Sequence, residues 1–242
     1  MARLDPRSAG LLSCFQQRWY PIILIREVED VTDEDDDDLP YGENFHDEGE
    51  AAAWADAAAR KRPFRPQIFD LFAAAIAERG EHPVRVLELG SGPGFLAEHV
   101  LDRCGSIARY TLLDFARPMI QLSKERLARH AGRTAFVQAD FKSEDWMASA
   151  GGPYDFVISN QAIHELRHKR HAPRLYRQAR ALVSHGGELV VCDHLPESGP
   201  TPRHRRLYMS IEENLAALVG AGFASAQLVW SEHHMAMFRA RA

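Results

Sequence analysis

The sequence predicts an α/β protein built on a doubly wound, mostly parallel seven-stranded sheet with an antiparallel last strand. Three observations lead there. From residue 84 onward, short apolar runs of β-forming type alternate with segments of helical periodicity. The first run, residues 84–89, opens into a loop with glycines at alternate positions, Gly90-Ser91-Gly92-Pro93-Gly94. The chain closes with two strand-like runs, 227–230 and 236–239, whose join is short enough for a hairpin, so the last strand runs antiparallel. A right-handed strand–helix–strand alternation covers both faces of a parallel sheet with helices, and ligands bind beyond the carboxyl ends of its strands.

Residues 51–62 are alanine-rich and predict a helix, which Pro63 and Pro66 end while starting another. This second helix runs to about residue 78, with Ile68, Leu71, Phe72, Ala75 and Ile76 at helical spacing. Gly80 and Pro83 close it before the strand at 84–89. A helix to about 103, a strand at 110–114 and a helix at 118–129 follow; Pro118 sits in a first turn, where its missing N–H costs nothing. Next come a strand at 135–138, a short helix at 143–148, a fourth strand at 154–159 and a long basic helix over 168–183. Gly186-Gly187 turns the chain into a fifth strand at 188–193, residues 196–202 form a loop, and a helix at 207–219 precedes the hairpin.

The 242 residues fit one α/β domain, placed at 64–242, with an N-terminal extension, 1–63, expected to act as a lid or an oligomer contact. Within the extension, Leu11-Leu12-Ser13-Cys14-Phe15 and Trp19-Tyr20-Pro21-Ile22-Ile23-Leu24-Ile25 are too apolar to stay in water without cost, so they are expected to pack on the domain or on a partner chain. No apolar run of about 18 residues argues for a membrane span, and the first residues lack the layout of a signal peptide. Cys14, Cys104 and Cys192 are far apart and odd in number, which fits free thiols in a cytoplasmic protein. Of 34 acidic residues, 13 lie between 27 and 50, a stretch without Lys or Arg; this leaves 21 acids against 29 bases elsewhere, a net of +8. Such a block of like charges is usually a solvated tract; alternatively it folds back over the basic face and competes there with an anionic partner.

Strand, glycine loop and helix together make a nucleotide-type site. The loop reads G-x-G-x-G, not the dinucleotide pattern G-x-G-x-x-G, because position 95 is Phe. With Glu88 two residues before the first glycine, it resembles motif I of the class I S-adenosylmethionine-dependent methyltransferases. The resemblance covers about residues 64–242 and implies S-adenosylmethionine as donor, with S-adenosylhomocysteine as product. Asp114 ends the second strand twenty residues after Gly94, where an acid can accept hydrogen bonds from both hydroxyls of a ribose. The resemblance implies that Asp114, with Phe115 beside it, holds the donor's ribose. It implies that Met119 packs on adenine, although a methionine on a helix face also serves as plain core. Asp140 would accept from the adenine amino group while the Phe141 backbone meets the ring; otherwise Asp140 caps the helix that follows. Glu88 would face the donor's ammonium, and Gly90, Ser91, Gly92 and Gly94 would pass beside its carboxypropyl chain. Asn160 and Gln161, in Ser159-Asn160-Gln161-Ala162, would border the reacting methyl. That run lacks the (N/D)-P-P-(Y/F) pattern of enzymes that methylate base amines or glutamine amides, and it resembles the small-molecule methyltransferases.

Two histidines are the candidate catalytic residues. A neutral imidazole at His164 can take a proton from an acceptor as the methyl transfers, or it merely packs beneath the donor. His194, just after the fifth strand, is the second candidate, and Asp193 could orient either ring. Basic clusters at 167–171, at Arg174, Arg177 and Arg180, and at 203–206 read as a solvated face or as a dock for an anionic acceptor or RNA. No aromatic residues interleave with them, so a stacking platform for nucleic acid is not supported. No cluster has metal-ligand spacing. The expectation is a methyltransferase acting on an O, N or C atom of a small molecule, as monomer or homodimer. The alternatives are a protein or RNA methyltransferase docking through the basic face, and a non-catalytic donor-binding partner.

Overall fold

The computed structural model describes residues 37–198 and 202–242. The apolar runs before residue 27, Cys14 and the acidic tract up to residue 36 lie outside the described residues. The sheet has seven strands: β1 Val84–Leu89, β2 Ile107–Asp114, β3 Thr134–Gln138, β4 Tyr154–Asn160, β5 Val183–His194, β6 Ser225–Glu232 and β7 Met235–Arg241. Their spatial order is β3-β2-β1-β4-β5-β7-β6. β1 to β5 pair in parallel, while β7 pairs antiparallel to both β5 and β6.

Side chains alternate across the sheet, and both faces are covered. Leu87, Leu89, Val157, Leu189 and Val191 point to one face, where Trp146, Leu175, Tyr176 and Leu218 close over them. Val84, Val86, Leu112, Phe156, Ile158 and Val190 point to the other, under Ile68, Phe72, Ile76, Leu96 and Val100. Burial on two faces is why these strands read as continuous apolar runs. The covering helices are α1 Glu48–Lys61, α2 Arg65–Ala77, α3 Phe95–Arg103, α4 Arg117–Arg126, α5 Trp146–Ala150, α6 Ala172–Leu182, α7 Pro202–Leu207 and α8 Ile211–Gly220.

Some boundaries differ from the sequence reading. The basic helix starts at Ala172, with Pro173 in its first turn, because residues 169–171 form a separate 3-10 turn. Residues 202–207, between the expected loop at 196–202 and the helix expected from 207, make α7, whose basic residues lack the apolar stripe that marks a helix in sequence. β6 and β7 run further than expected, so their join is the two residues His233 and His234, both with positive φ (53° and 55°), as a two-residue hairpin demands. Among the described residues no helix is long and apolar enough to cross a membrane.

The order reverses at β1. The chain builds outward through β2 and β3, then returns to place β4 on the other side of β1. Loops leaving β1 and β4 therefore diverge, and a crevice opens at their carboxyl ends. On the far side, the antiparallel β7 is locked to β5 by charge. Glu188, almost fully buried, faces Arg239 Nε at 2.7 Å and Arg241 Nε at 3.2 Å, and Arg239 reaches Glu78 on the helix side at 2.6 Å. Removing one partner of a buried pair strands the other charge. Arg239→Met is expected to lower unfolding free energy by about 3 kcal/mol, and the double variant Glu188→Gln/Arg239→Met to recover much of that, as read by urea denaturation.

Candidate active site

The glycine loop is fixed by main-chain geometry. Gly90, Gly92 and Gly94 have φ of 67°, 52° and 79°, in the left-handed region. A Cβ on Gly90 would meet the Ala162 Cβ at 2.3 Å, so the loops after β1 and β4 touch there. A Cβ on Gly94 would meet Ser123 at 3.1 Å, which makes Gly94 a packing residue against α4. At Gly92 nothing lies within 4 Å, so the loop faces open space. The Leu113 carbonyl accepts from both Gly90 N and Ser91 N, at 2.8 and 3.0 Å. Asp114 accepts from Gly92 N at 2.8 Å and from Ala116 N at 2.9 Å, tying the loop to the start of α4.

A cleft of about 180 Å³ lies beyond β1 and β4. It is lined by Glu88, Gly90, Ser91, Gly92, Asn160, Gln161 and His164 from the expected set, and by Trp54, Arg62, Arg65, Phe69, Phe95 and Glu165. Other expected residues stand around it. Phe115 lines an adjoining hollow with Tyr41, Phe45 and His46. Phe141 packs beneath Gly90, its ring 3.4 Å from where a Gly90 Cβ would be. Asp140 is exposed after β3, its carboxylate accepting from Lys142 N. Met119 is buried in the contact between α4 and the first helix, beside Ala51, Phe45 and Trp54, and does not face the cleft.

Burial sets unusual charge states. Glu88 is 2% exposed; burial pushes its pKa up to about 8, against a hydrogen bond donated by the Tyr110 hydroxyl at 2.7 Å. It is therefore mostly neutral at pH 7. Burial likewise pushes Asp114 up to about 6, although backbone N–H donors from Ala116 and Gly92 resist. His164 behaves oppositely. Burial disfavours its charge, but Asp193 at 2.7 Å from Nδ1 and Glu165 at 3.3 Å from Nε2 outweigh it and raise the ring to about 10. Both ring nitrogens face carboxylates, so His164 is an imidazolium, not the neutral base that the sequence suggests. Asp193 also accepts from the His164 and His194 backbone N–H groups, so this acid orients the whole corner. His194 is the neutral ring: burial lowers it to about 4, more than the nearby Asp193 can offset. Its Nε2 lies 3.3 Å from Arg62 Nη2, which can only donate, so Nε2 is an acceptor and the proton is on Nδ1.

Gln161 holds this corner together. It is a non-glycine residue at φ 55°, with its N–H donating to the Cys192 carbonyl at 2.7 Å and its side chain touching Arg65, His194 and Met235. Strain of this kind is kept where the surroundings over-determine it, commonly at sites. Sequence reading missed Arg62, Arg65, Tyr208 and the pairing partner Glu165. Tyr208 lies 5.3 Å from His194 and 5.6 Å from His164, ring to ring. The one usable signal was two arginines flanking Pro63-Phe64 at the mouth of an apolar helix.

The methyltransferase-domain family model matches residues 86–187, from β1 through the start of β5. Over those residues the chain carries a methyltransferase domain, on the fold that solved S-adenosylmethionine-dependent methyltransferases share. It is similar to the malonyl-[acyl-carrier protein] O-methyltransferase of Geobacter sulfurreducens, at 29% identity over 202 residues, covering 76% of this chain and 70% of that one. A solved O-methyltransferase family protein from Burkholderia thailandensis superposes with a TM-score of 0.64 at 19% identity, over 81% of this chain and 60% of that chain. A SAM-dependent methyltransferase from Aquifex aeolicus gives 0.59 at 17% identity, over 81% and 98%. The fungal polyketide synthase esdpA of Penicillium shearii matches over 45% of this chain, which spans only 5% of that relative's length.

Two outcomes test the site's construction. Gly90→Ala should cost at least about 2 kcal/mol of stability, since a Cβ is barred both by φ and by Ala162; urea denaturation reads this. Glu88 has a folded pKa raised above its unfolded value near 4.5. Between those two values the folded state holds the extra proton, so this group makes stability fall as pH rises from about 4.5 to about 8. Glu88→Gln should therefore gain on the wild type by at least about 1 kcal/mol between pH 5 and pH 8.5.

Proposed function

We propose that this chain transfers a methyl group from S-adenosylmethionine to an O, N or C atom of a small molecule. The observation that carries the reading is the crevice itself. Beside an open glycine loop it gathers Glu88 with the unpartnered, buried Ser91 Oγ and Asn160 Oδ1. Buried polar atoms without partners are costly, and these fit a ligand bearing ammonium, carboxylate and hydroxyl groups. When bound, the donor supplies an electrophilic methyl on a sulfonium, whose sulfur keeps the C–S electron pair as the new bond forms.

The chain's residues would divide the remaining work. Asp114 has lone pairs to spare after its two backbone bonds and holds the ribose. Glu88 loses its proton as an ammonium approaches. Met119 supports the first helix instead of stacking on adenine. The aromatic segment Tyr41 to Trp54 acts as a lid: Tyr41 stacks on Phe115 at 6.1 Å, and Phe45 meets Trp54 edge to face at 5.6 Å. Excluding water there protects an in-line displacement. His194, the neutral imidazole, is the ring able to take a proton once Arg62 leaves its Nε2. His164, held charged, positions Asp193 and Gln161's loop.

The name of one similar protein, the ubiquinone/menaquinone biosynthesis C-methyltransferase of Rhizobium meliloti, supports a small acceptor. A macromolecular dock is less well supported, because Asp38 already pairs with Lys142, Arg170 and His171, and the Pro40 carbonyl accepts from Arg167 and Arg203. This is the acidic tract's end folding onto the basic face.

Calorimetry on the whole chain is expected to show micromolar binding of S-adenosylhomocysteine, none of NAD, and at least a tenfold loss (about 1.4 kcal/mol) in Asp114→Ala. Absence of nucleoside binding would sink the assignment. Asp193→Asn should lower the His164 pKa, followed by NMR of the ring, because the larger of its two carboxylate partners loses its charge.

A further inference from the structure

Arg62 and Arg65 differ from other deeply placed arginines. Arg167 faces Glu165 at 3.3 Å, and Arg239 faces Glu188 and Glu78. Among the described residues, no carboxylate lies within ion-pair distance of Arg62 or Arg65. Arg65 is only 8% exposed, yet its Nε and Nη1 are buried without partners. Its Nη2 makes one long bond, 3.4 Å, to Gln161 Oε1. The rings of Trp54 and Phe95, 5.9 and 5.6 Å from its guanidinium carbon, cover its face and leave its N–H edge unmet. Burial and the neighbouring Arg62 lower Arg65 to about 10, so it remains charged at neutral pH.

Of the nearby acids, Asp193 acts on Arg62 while paired with His164, and none acts on Arg65. Glu88 is held mostly neutral, Glu165 is committed to His164 and Arg167, and Glu43 is exposed at the rim. A guanidinium with a free edge, beside a second one, matches a planar, singly charged anion, which a fork of N–H donors grips bidentately. The pair lies toward the ends of β4 and β5, with Arg62 on His194 and Arg65 on Gln161. That is the corner where a second substrate would meet the imidazoles. A base is also scarce there: both nitrogens of His164 face acids, and the His194 Nε2 lone pair is taken by Arg62.

We propose that Arg62 and Arg65 bind a carboxylate of the methyl acceptor, so that the substrate is a small carboxylic acid; this rests on the methyltransferase reading above. The carboxylate satisfies the orphaned Arg65 edge, offsets the like-charge pair and orients the acceptor over Gln161.

The test titrates acetate, and acetamide as its neutral twin, into the full chain saturated with S-adenosylhomocysteine, following arginine Nε–Hε signals by NMR. Acetate should shift the Arg65 signal saturably, and acetamide should not. Arg62→Gln and Arg65→Gln should each weaken acetate at least about tenfold while changing S-adenosylhomocysteine affinity less than about twofold. No acetate response, or an equal response to acetamide, overturns the proposal; neither readout needs a variant to fold. Loss of S-adenosylhomocysteine affinity in Arg65→Gln overturns it differently, by assigning the guanidinium to the donor's own carboxylate. Failure of the wild type to bind S-adenosylhomocysteine at all would strike the methyltransferase reading instead, while acetate titration of the ligand-free chain would still report on the arginine pair.

Discussion

The backbone turn that leaves β1 is the constraint on which the site depends. The Leu113 carbonyl accepts from Gly90 N and Ser91 N, and Asp114 accepts from Gly92 N, so the end of β2 grips the loop along three successive residues. Left-handed backbone at Gly90 brings it against Ala162, and at Gly94 against Ser123. One loop thus fixes the distances between β1, β4 and α4. Every group that faces the crevice, from Glu88 to Gln161, is placed relative to that turn.

Inside this frame, burial and neighbours divide like residues into unlike states. Two histidines whose ring centres are 5.6 Å apart are driven to opposite charges, because Asp193 and Glu165 flank one while Arg62 faces the other. Two carboxyls, Glu88 and Asp193, are likewise split, one mostly neutral and one a carboxylate hydrogen-bonded to an imidazolium. Pairs of titratable groups whose surroundings separate their pKa values are what acid–base and electrostatic work requires.

The fold was legible because its signals are local: apolar runs of strand length, alternate glycines, and a short terminal join. Glu88, Ser91, Asn160 and Gln161 could be placed at the crevice because strand ends in a parallel sheet converge there. The charge of His164 could not, since it depends on Glu165 and on Asp193, one of them 29 residues away in sequence. Arg65 was invisible for a similar reason: a buried, unpaired arginine has the same letter as a solvated one. Met119 packs with Ala51, Phe45, Trp54 and Phe115, a set of contacts that its letter alone does not reveal. The basic run ahead of α6 was read as basic, but the pairing of Arg170 and His171 with Asp38 needed the chain to fold back over more than a hundred residues.

The most direct test of the donor site is a binding cycle with S-adenosylhomocysteine and its 2′-deoxyribose analogue on the wild type and on Asp114→Asn. If the Asp114 carboxylate receives the ribose hydroxyls, the analogue should bind the wild type at least about fivefold more weakly, and that gap should collapse in the variant. A gap of equal size in both proteins would contradict the assignment of Asp114 to the ribose and leave it as a purely structural tether of the glycine loop.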